Sequence, residues 1–420
     1  MTDAARDLAS FLTASPSPYH AVAEAVRRLS AAGFVEQPED APWIDGAGGR
    51  YLVRDGTVLA WWQPETLGER PLRIFAAHTD SPGFKVKPNP DVGTAGWRQV
   101  GVEVYGGALW NSWLDRDLGL AGRVALYDGS VLPVRVDRPL LRIPQLAVHL
   151  DRGVNNEGLK LDPQRHLLPI WGLGEPDEGE FLDFVAALAD IDAEEIAAHD
   201  LFTFDLTPPA TLGRDDELFA APRLDNLSSV HAGIAALLEA VERGPETVPV
   251  FVGFDHEEVG SDSATGAAGP LLETLLTRLA GGFDARRTVF ARSRCLSVDV
   301  THAAHPNHLD KHDVDHLSVP NRGPSLKVNA VQRYATDAPG AAAWKRACRT
   351  ADVPNQVFVS KNTVPCGSTV GPIMATRLGI RTIDVGIPVL SMHSARELCG
   401  VHDPKLLRRA GVEFLADPER

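Results

Sequence analysis

The sequence predicts an α/β fold, with a doubly wound and largely parallel sheet, that is interrupted by an inserted and mostly β domain. Two observations predict the α/β part. Short apolar stretches alternate with amphipathic helical stretches, and several apolar stretches end in acidic residues or histidine. A third observation predicts the insertion, because the chain between these parts changes to short strands separated by Gly, Asp and Pro. We therefore assign residues 1–86 and 215–420 to the α/β domain and residues 87–214 to the insertion.

Composition and charge limit the class of protein. The chain of 420 residues is 44% hydrophobic and 23% charged, which is ordinary for a soluble globular protein and allows two domains. Its net charge of -15 argues against a nucleic-acid partner. The four cysteines lack paired spacing, and the chain shows neither a signal peptide nor an apolar run of membrane-spanning length. We expect a cytoplasmic protein with reduced thiols and no membrane contact.

The first α/β segment contains two helices, a hairpin and a strand that ends in polar residues. The helices are predicted over residues 5–14 and 18–33, the second after a Ser-Pro pair that is typical of a helix start. The apolar strand that follows the hairpin ends in His78-Thr-Asp80. In an extended chain these two side chains point to the same side, so Asp80 could fix the tautomer of a metal-bound His78. A capped or surface histidine is the ordinary alternative.

The predicted insertion contains short strands, a Trp-rich loop and two helices. The predicted strands cover residues 100–105, 123–127, 131–136 and 202–206. The predicted helices cover residues 180–190 and 193–198. His149, which follows an apolar stretch, is the one conspicuous candidate for chemistry in this part. A hydrogen-bonded structural histidine explains this residue equally well.

The second α/β segment places acidic residues beside a helix and a strand. Asp225 lies at or just before the start of an amphipathic helix, where it either caps the helix or faces a cation. The apolar strand Val248–Phe254 is followed by Asp-His-Glu257-Glu258. Two adjacent glutamates at the end of a buried strand are costly unless they are paired, protonated or bound to a metal. A solvated turn with two surface glutamates is the alternative.

Two later strands add candidate ligands. Asp299 is predicted to lie inside an apolar strand that begins at Arg294, and an acid there has few structural explanations. His393 lies just past the last predicted strand, Arg381–Val385. Because the carboxyl ends of strands converge at one edge of an open α/β sheet, we expect most of these candidates to lie together.

Two histidines and several carboxylates suit a pair of Zn²⁺ ions, which Co or Mn could replace. One carboxylate would bridge the ions, and each ion would take one histidine and one terminal acid. Such a pair lowers the pKa of a shared water and polarises a carbonyl, while a spare glutamate carries the proton to a leaving amine. Metal-assisted amide hydrolysis is therefore predicted for the set His78, Asp225, Glu257, Glu258, Asp299 and His393.

Six segments of the chain carry a resemblance to a known family. In this order and spacing they resemble the aspartyl aminopeptidase family of dinuclear zinc metallopeptidases: HTDSPGF, RLDNL, DHEEVGS, SVDVTHAAHPN, KVNAVQRYATD and SMHSARE. The resemblance spans nearly the whole chain. It implies an aminopeptidase that removes N-terminal residues, typically Asp or Glu, from peptides with a free N-terminus. It also implies a catalytic α/β domain interrupted by a dimerisation domain, and a homo-oligomer, a dodecamer built from dimers.

The resemblance implies which residues bind the two zinc ions of each subunit. Asp225 is implied to be the bridging ligand. His78 and Asp299 would complete the site of one zinc ion, and Glu258 and His393 would complete the site of the other.

The resemblance also implies the catalytic and substrate-binding roles. Glu257 would be the general base and acid, and Asp80 would orient the zinc ligand His78. The family often has Asn where this chain has His256, a difference that could tune the neighbouring base.

The residues implied around the substrate come from several segments. His149 would reach the active site of the neighbouring subunit, either as a substrate contact or as a metal ligand. The others are His302, Lys327 and Tyr334. Lys327 is a reasonable partner for an acidic substrate side chain, since selection of a charge needs a countercharge.

Two other functions compete with the aminopeptidase. A metal-dependent aminoacylase or deacylase would keep the metals and hydrolyse a different amide. A non-catalytic assembly protein on the same fold should have lost a ligand or the base, and this chain keeps all of them. A glycosidase is excluded, because the adjacent Glu257 and Glu258 cannot lie on opposite sides of a sugar.

Overall fold

The structure is a computed structural model that describes residues 2–418. The chain divides into two compact units. The first, here called the α/β unit, comprises the chain up to Asp80, residues 209–392, and the chain from Glu397. The second, here called the inserted unit, comprises residues 81–208 together with the short segment 393–396. The assignment of independent domains, and of dimerisation to the insertion, stays a prediction.

The described helices are numbered in chain order. They are α1 Asp3–Ala14, α2 Pro18–Ala31, α3 Val154–Glu157, α4 Glu180–Ala189, α5 Leu224–Glu242, α6 Leu271–Leu279, α7 Phe283–Arg292, α8 Ala338–Thr350, α9 Val370–Leu378 and α10 Asp403–Ala416. Within residues 2–418, every helix is too short or too polar to span a membrane.

The described strands form three sheets. They are β1 Val35–Glu36, β2 Gly48–Arg54, β3 Thr57–Gln63, β4 Leu72–His78, β5 Gly83–Thr94, β6 Trp97–Tyr105, β7 Leu118–Leu126, β8 Val131–Leu141, β9 Ile170–Leu173, β10 Ile196–Asp205, β11 Ala210–Leu212, β12 Leu218–Ala221, β13 Val248–Phe254, β14 Arg294–Val298, β15 Thr301–His302, β16 Ser325–Val328, β17 Gln356–Val359, β18 Arg381–Gly386, β19 Pro388–Leu390 and β20 Glu397–Gly400.

The α/β unit contains a nine-stranded sheet with the order β1-β2-β3-β13-β4-β14-β18-β16-β17. The four central strands, β13, β4, β14 and β18, are parallel to one another. Antiparallel pairs occur on both sides of them, between β13 and β3 and between β18 and β16. The predicted α/β class with a largely parallel sheet is confirmed. A second sheet of this unit has five short strands, β11-β12-β20-β19-β15.

Helices cover both faces of the nine-stranded sheet, as a doubly wound fold requires. Successive side chains of a strand point to opposite faces, and β4 shows this division. Phe75 of β4 lies in one core cluster with residues of α1, α2, α5, α8 and α10. Ile74 of β4 lies in a second cluster with residues of α6, α7 and α9. The apolar run of β4 is therefore buried on both sides, and only its end can carry polar chemistry.

The inserted unit is built on a six-stranded antiparallel sheet with the order β8-β7-β10-β5-β6-β9. One prediction for this part was wrong, and one strand was missed. The predicted helix at 193–198 is a short 3-10 turn, Ala193–Glu195, that leads directly into β10. The long strand β5 was missed, because two of its residues are prolines and the sequence there resembles a loop.

Candidate metal and active site

Three parallel strands bring the candidate residues to one edge of the sheet. His78 is the last residue of β4 and pairs in register with Phe254, the last residue of β13. Glu257 and Glu258 follow β13 in a 3-10 turn. Asp299 follows the end of β14, on the other side of β4, and does not lie inside the strand as predicted. The carboxyl ends of neighbouring parallel strands form the usual ligand edge of an open α/β sheet.

His78 is the centre of the cluster. Its side chain is buried, and its Nε2 atom lies 3.2 Å from Asp225 Oδ1, 3.8 Å from Asp299 Oδ1 and 3.9 Å from Glu257 Oε2. Burial lowers the pKa of His78, but interactions with Asp225, Asp299 and the Asp80 side chain raise it well above its ordinary value. The carboxylates around His78 thus favour a positive charge at this position, from the imidazole or from a bound cation.

Asp80 contacts the His78 ring on its Nδ1 side, opposite the carboxylates that face Nε2. Its side chain is completely buried, and Oδ1 lies 3.3 Å from Nδ1 of His78. The same carboxylate accepts the backbone N–H groups of Glu257 and Glu258, each at 3.1 Å. One buried acid thus orients the imidazole so that Nε2 points to the other carboxylates, and it also holds the turn that carries both glutamates.

Asp225 is positioned by the irregular start of α5. Its φ and ψ angles, -78° and 106°, are not helical, although the residue lies in the first turn. Its backbone N–H donates to Oε2 of Glu397 at 2.9 Å. The next residue, Asn226, donates through Nδ2 to the carbonyl oxygen of Val298 at the end of β14, at 2.8 Å. The helix start is thereby tied to β20 and β14, and the Asp225 side chain faces His78 rather than capping the helix.

Glu257 lies among negative charges. Burial, together with the carboxylates of Asp299 and Asp225, raises the pKa of Glu257 to about 8, although His78 opposes the shift. The turn that places Glu257 begins at His256, which has a left-handed φ of 62°. The His256 ring contacts the hydroxyls of Ser263 and Thr265 through Nδ1, at 2.9 and 3.1 Å. A carboxyl whose pKa lies near neutral pH can both release and take up a proton, which a general base and acid requires.

One group among the described residues has the geometry to hold a metal ion. It consists of His78, Asp225 and Glu258, and one possible ligand atom from each lies within 4.8 Å of the others. A nitrogen and two carboxylate oxygens on partly or fully buried side chains are donors that zinc accepts. Asp299 lies near the same imidazole nitrogen, so the residues present fit a zinc site.

The predicted substrate residues of the α/β unit lie beside Asp299. Lys327 of β16 is only 3% exposed, and its Nζ atom lies 3.9 Å from Asp299 Oδ2 and 5.2 Å from the centre of the Tyr334 ring. Tyr334 and His302 both contact the Phe358 ring edge to face, with centroid distances of 6.3 and 5.8 Å. Burial, with Cys366 and Asp299 nearby, raises the pKa of Tyr334, so its hydroxyl stays neutral.

Two predicted site residues belong to the inserted unit. His149 lies on an exposed segment of that unit. His393 groups with the same unit, and its Nδ1 atom lies 3.1 Å from the carbonyl oxygen of Gly107. The roles of these two histidines stay predictions.

Sequence reasoning missed two buried acids that support the site. Glu397 receives the N–H of Asp225, and Asp384 of β18 receives the N–H of Ala335, next to Tyr334. An acid within an apolar strand was the signal that singled out Asp299, and the same signal was present at Asp384. Glu397 was visible only as part of the segment SMHSARE.

Comparison with known proteins identifies relatives over almost the entire chain. The sequence model of the family described as aminopeptidase I zinc metalloprotease, M18, matches residues 11–411. The curated "Probable M18 family aminopeptidase 2" of Streptomyces coelicolor is 54% identical over 417 residues, which cover 97% of this chain and 96% of that protein.

Solved structures resemble the whole chain as well. A cryo-EM structure of a complex of Ape4 and Nbr1 matches with a TM-score of 0.94 and 34% identity, over 98% of this chain and 85% of that one. The structure of the S. cerevisiae mApe1 dodecamer matches with a TM-score of 0.84 and 28% identity, over 99% of this chain and 95% of that one.

Proposed function

The chain belongs to the M18 family of aminopeptidase I zinc metalloproteases, and from this membership we propose a two-zinc aminopeptidase that prefers N-terminal Asp or Glu. Membership makes the protein a zinc aminopeptidase, a hydrolase of peptide bonds. The number of metal ions, their ligands and the substrate preference are parts of the proposal. The observation that supports it best is the buried imidazole of His78, whose Nε2 faces three carboxylates at the edge of the sheet.

We propose that five side chains hold the two zinc ions. Asp225 would serve both ions, His78 and Asp299 would complete one site, and Glu258 and His393 would complete the other. The short distances from His78 to Asp225 and Asp299 support these three residues as ligands. The grouping of Glu258 with His78 and Asp225 supports Glu258. Bound zinc supplies a Lewis acid that polarises the scissile carbonyl and makes water more acidic at neutral pH.

Glu257 carries the proton in the proposed reaction. Its carboxylate removes a proton from the attacking water as the water oxygen bonds to the carbonyl carbon. The carboxyl then gives that proton to the amine nitrogen as the C–N bond breaks, and Glu257 returns to its starting state. Its position supports the role, because its Oε2 atom lies 3.9 Å from Nε2 of His78, beside the proposed ligands without being one of them. Asp80 acts through His78 and the glutamate turn by holding both in place.

The proposed preference for acidic residues rests on Lys327. Its ammonium group is buried beside the Asp299 carboxylate and the Tyr334 ring. When Asp299 binds zinc, its charge is taken up by the metal, and the Lys327 ammonium can attract an acidic substrate side chain. Tyr334 and His302 would line the same region around Phe358.

The proposed assembly is a homo-oligomer, a dodecamer built from dimers. The match to the Saccharomyces cerevisiae Ape1 dodecamer over nearly the whole chain supports it. In this assembly His149 would contribute to the active site of a neighbouring subunit. Three of the four cysteines are buried free thiols, which supports a reducing compartment such as the cytoplasm.

Metal analysis of an Asp225→Ala variant tests the proposed centre. A bridging ligand serves both ions, so we expect the wild type to hold two zinc ions per chain and the variant to lose both, together with its activity. Asp40→Ala, which removes an exposed carboxylate, is the matched control and should keep both ions. An Asp225→Ala protein that retains two ions and full turnover would remove the bridging role.

A further inference from the structure

Asp384 is a buried acid that the proposed reaction does not use. It lies on β18, between β14 and β16 of the nine-stranded sheet, and its side chain is fully buried. Burying a carboxylate is unfavourable unless its oxygens receive hydrogen bonds. The hydrogen-bond partners of Asp384 therefore indicate why a carboxylate is present at a fully buried position of this strand.

Asp384 joins β18 to the segment that carries Tyr334. Its Oδ2 atom accepts the backbone N–H of Ala335 at 2.6 Å. Its own backbone N–H donates to the Thr336 hydroxyl at 2.9 Å. These two bonds run in opposite directions between one strand residue and two consecutive loop residues. They fix both the position and the direction of the chain immediately after Tyr334.

The other carboxylate oxygen of Asp384 holds the start of α9. Oδ1 accepts the hydroxyl hydrogen of Thr369, the residue before the helix, at 2.5 Å. The same hydroxyl oxygen accepts the N–H of Gly371 at 3.2 Å. A Cβ atom at Gly371 would lie 2.5 Å from both carboxylate oxygens, so the helix start approaches the acid as closely as glycine allows. The loop that leads into this helix contains Cys366, which lies beside Tyr334.

The segments joined by Asp384 form one side of the candidate substrate region. Tyr334 is almost fully buried, and its ring lies against the Lys327 ammonium and near Phe358. Burial raises the pKa of Asp384, while the hydroxyls of Thr369 and Ser297, the Ala335 N–H and the positive charge of Lys327 oppose this shift. Two of these groups, the Thr369 hydroxyl and the Ala335 N–H, belong to the segments that the acid joins to β18.

We propose that Asp384 is a positioning residue that links the Tyr334 segment and the start of α9 to β18, and so sets the substrate-binding position of Tyr334. The proposal rests on the proposed function, because it takes Tyr334 as part of the substrate site. Asp384 contacts neither the substrate nor the metals in this account. It acts through hydrogen bonds, so a neutral side chain that preserves those bonds should replace it.

Two substitutions at position 384 separate the hydrogen bonds from the charge. In Asp384→Asn the amide oxygen can still accept the Ala335 N–H, and the amide nitrogen can donate to the Thr369 oxygen. In Asp384→Ala both side-chain hydrogen bonds are lost, while the backbone N–H of residue 384 can still donate to the Thr336 hydroxyl. For the substrate that the wild type cleaves fastest, we expect KM to rise about tenfold in the Ala variant, since two hydrogen bonds to a fully buried side chain are lost. We expect unchanged zinc content, a kcat within about twofold, and recovery of KM in the Asn variant.

Hydrogen exchange measured by mass spectrometry reports the link without any substrate. Peptides that cover residues 333–336 and 369–371 should exchange faster in Asp384→Ala and as slowly as the wild type in Asp384→Asn. Thr369→Val is a milder variant that should speed exchange only at 369–371. Thr382→Val is the matched control, because it removes a buried polar group from the same strand as Asp384. The Thr382 hydroxyl donates to the nearby carbonyl of Ile380. It should change neither KM nor exchange in these peptides.

Three results would overturn the proposal. Unchanged exchange in Asp384→Ala would show that the acid does not hold these segments. Faster exchange with an unchanged KM would show that holding them does not matter to the substrate. An Asn variant as impaired as the Ala variant would show that charge, and not hydrogen bonding, is required. Wild-type activity in the same assay tests the proposed function separately, since the exchange comparison does not depend on it.

Discussion

At the scale of the residue, Asp80 shows how one buried acid can organise a metal site in advance. Its carboxylate contacts the His78 ring and both glutamate N–H groups, so three candidate groups take their orientation from one side chain. Because Asp80 fixes the orientation of the His78 ring, the Nε2 atom faces the carboxylates of Asp225 and Asp299. Such preorganisation removes part of the cost of arranging ligands when a metal binds.

The proton-carrying role of Glu257 is tested by Glu257→Gln. The amide keeps the shape of the side chain but cannot accept the proton of the water. We expect kcat to fall by about 10²- to 10⁴-fold, the usual contribution of a general base, while zinc content stays unchanged. Steady-state kinetics and metal analysis check both parts. Glu246→Gln, which alters an exposed glutamate, should leave both unchanged. Near-normal kcat in the Glu257 variant would assign the proton transfer to another group.

Local sequence predicted some site residues and not others. His78 and Asp80 were predicted as a pair because alternation along an extended chain is a local property. Glu397 was not predicted, because its partner Asp225 is distant in sequence and only the folded chain brings the two together. Asp384 showed the same local signal as Asp299, but its partner Ala335 is also distant and could not be inferred. A single sequence shows where an acid is costly, but it does not show which backbone group compensates that cost.

At the scale of the element, α5 packs against the central strands through Gly233. A Cβ atom there would lie 2.6 Å from a ring atom of Phe75 on β4 and 2.7 Å from the Phe251 ring on β13. The glycine therefore lets the helix approach the two strands whose ends carry His78 and the glutamates. The close approach also places Asp225, in the first turn of α5, near the edge of the sheet.

Gly233→Ala tests this packing. Overpacking should destabilise the protein by about 1–3 kcal/mol, which exceeds the gain of about 1 kcal/mol in helix propensity. Gly172→Ala is the control, because a Cβ there meets only Arg98 side-chain atoms at 3.6 Å or more. It should change stability by less than about 0.5 kcal/mol. Urea unfolding of both variants gives the comparison, and equal stability would contradict the close packing.

A buried acid at the start of α10 predicts a pH dependence of stability. Asp403 accepts N–H groups of Asn321 and Gly323, but burial outweighs them and raises its pKa to about 7. The folded state then holds this proton more tightly than the unfolded state does. The contribution of Asp403 to stability is therefore greatest below pH 4 and falls as the pH rises to about 7.

Asp403→Asn isolates this contribution, because the amide does not titrate. The stability difference between wild type and variant should shift against the wild type by about 2 kcal/mol between pH 5 and pH 8. Urea unfolding at both values, at one protein concentration, measures it. A difference that is independent of pH would mean that Asp403 is ionised throughout this range in the folded protein.

Elements with clear boundary signals were predicted well, and elements held by distant pairing were not. Strand β13 has the predicted bounds Val248–Phe254, and α2 begins at Pro18 as its Ser-Pro signal indicated. The Ala- and Glu-rich stretch before β10 suggested a helix, but pairing with β7 makes it extended from Ile196. Helix α7 was not predicted, because it buries few side chains and lacks a strong apolar stripe.

At the scale of the whole molecule, the cost of gathering carboxylates is the common theme. The chain has a net charge of -15, and three of its acids lie around a single buried histidine at the sheet edge. Without a cation this arrangement is unfavourable, as the raised pKa of Glu257 shows. Two divalent ions would neutralise the cluster and couple metal binding to stability. Membership of a zinc aminopeptidase family agrees with this physical reading.

The central claim is a zinc-dependent aminopeptidase with a preference for acidic N-terminal residues. The most direct test measures kcat/KM for a panel of aminoacyl chromogenic substrates, before chelation, after chelation, and after zinc or cobalt is added back. We predict that chelation abolishes cleavage, that added metal restores it, and that Asp and Glu substrates are cleaved faster than neutral ones. Faster cleavage of neutral substrates would overturn the preference assigned to Lys327. No cleavage of any free-amine substrate by zinc-loaded protein would contradict the account, and would leave a deacylase or a non-catalytic assembly protein.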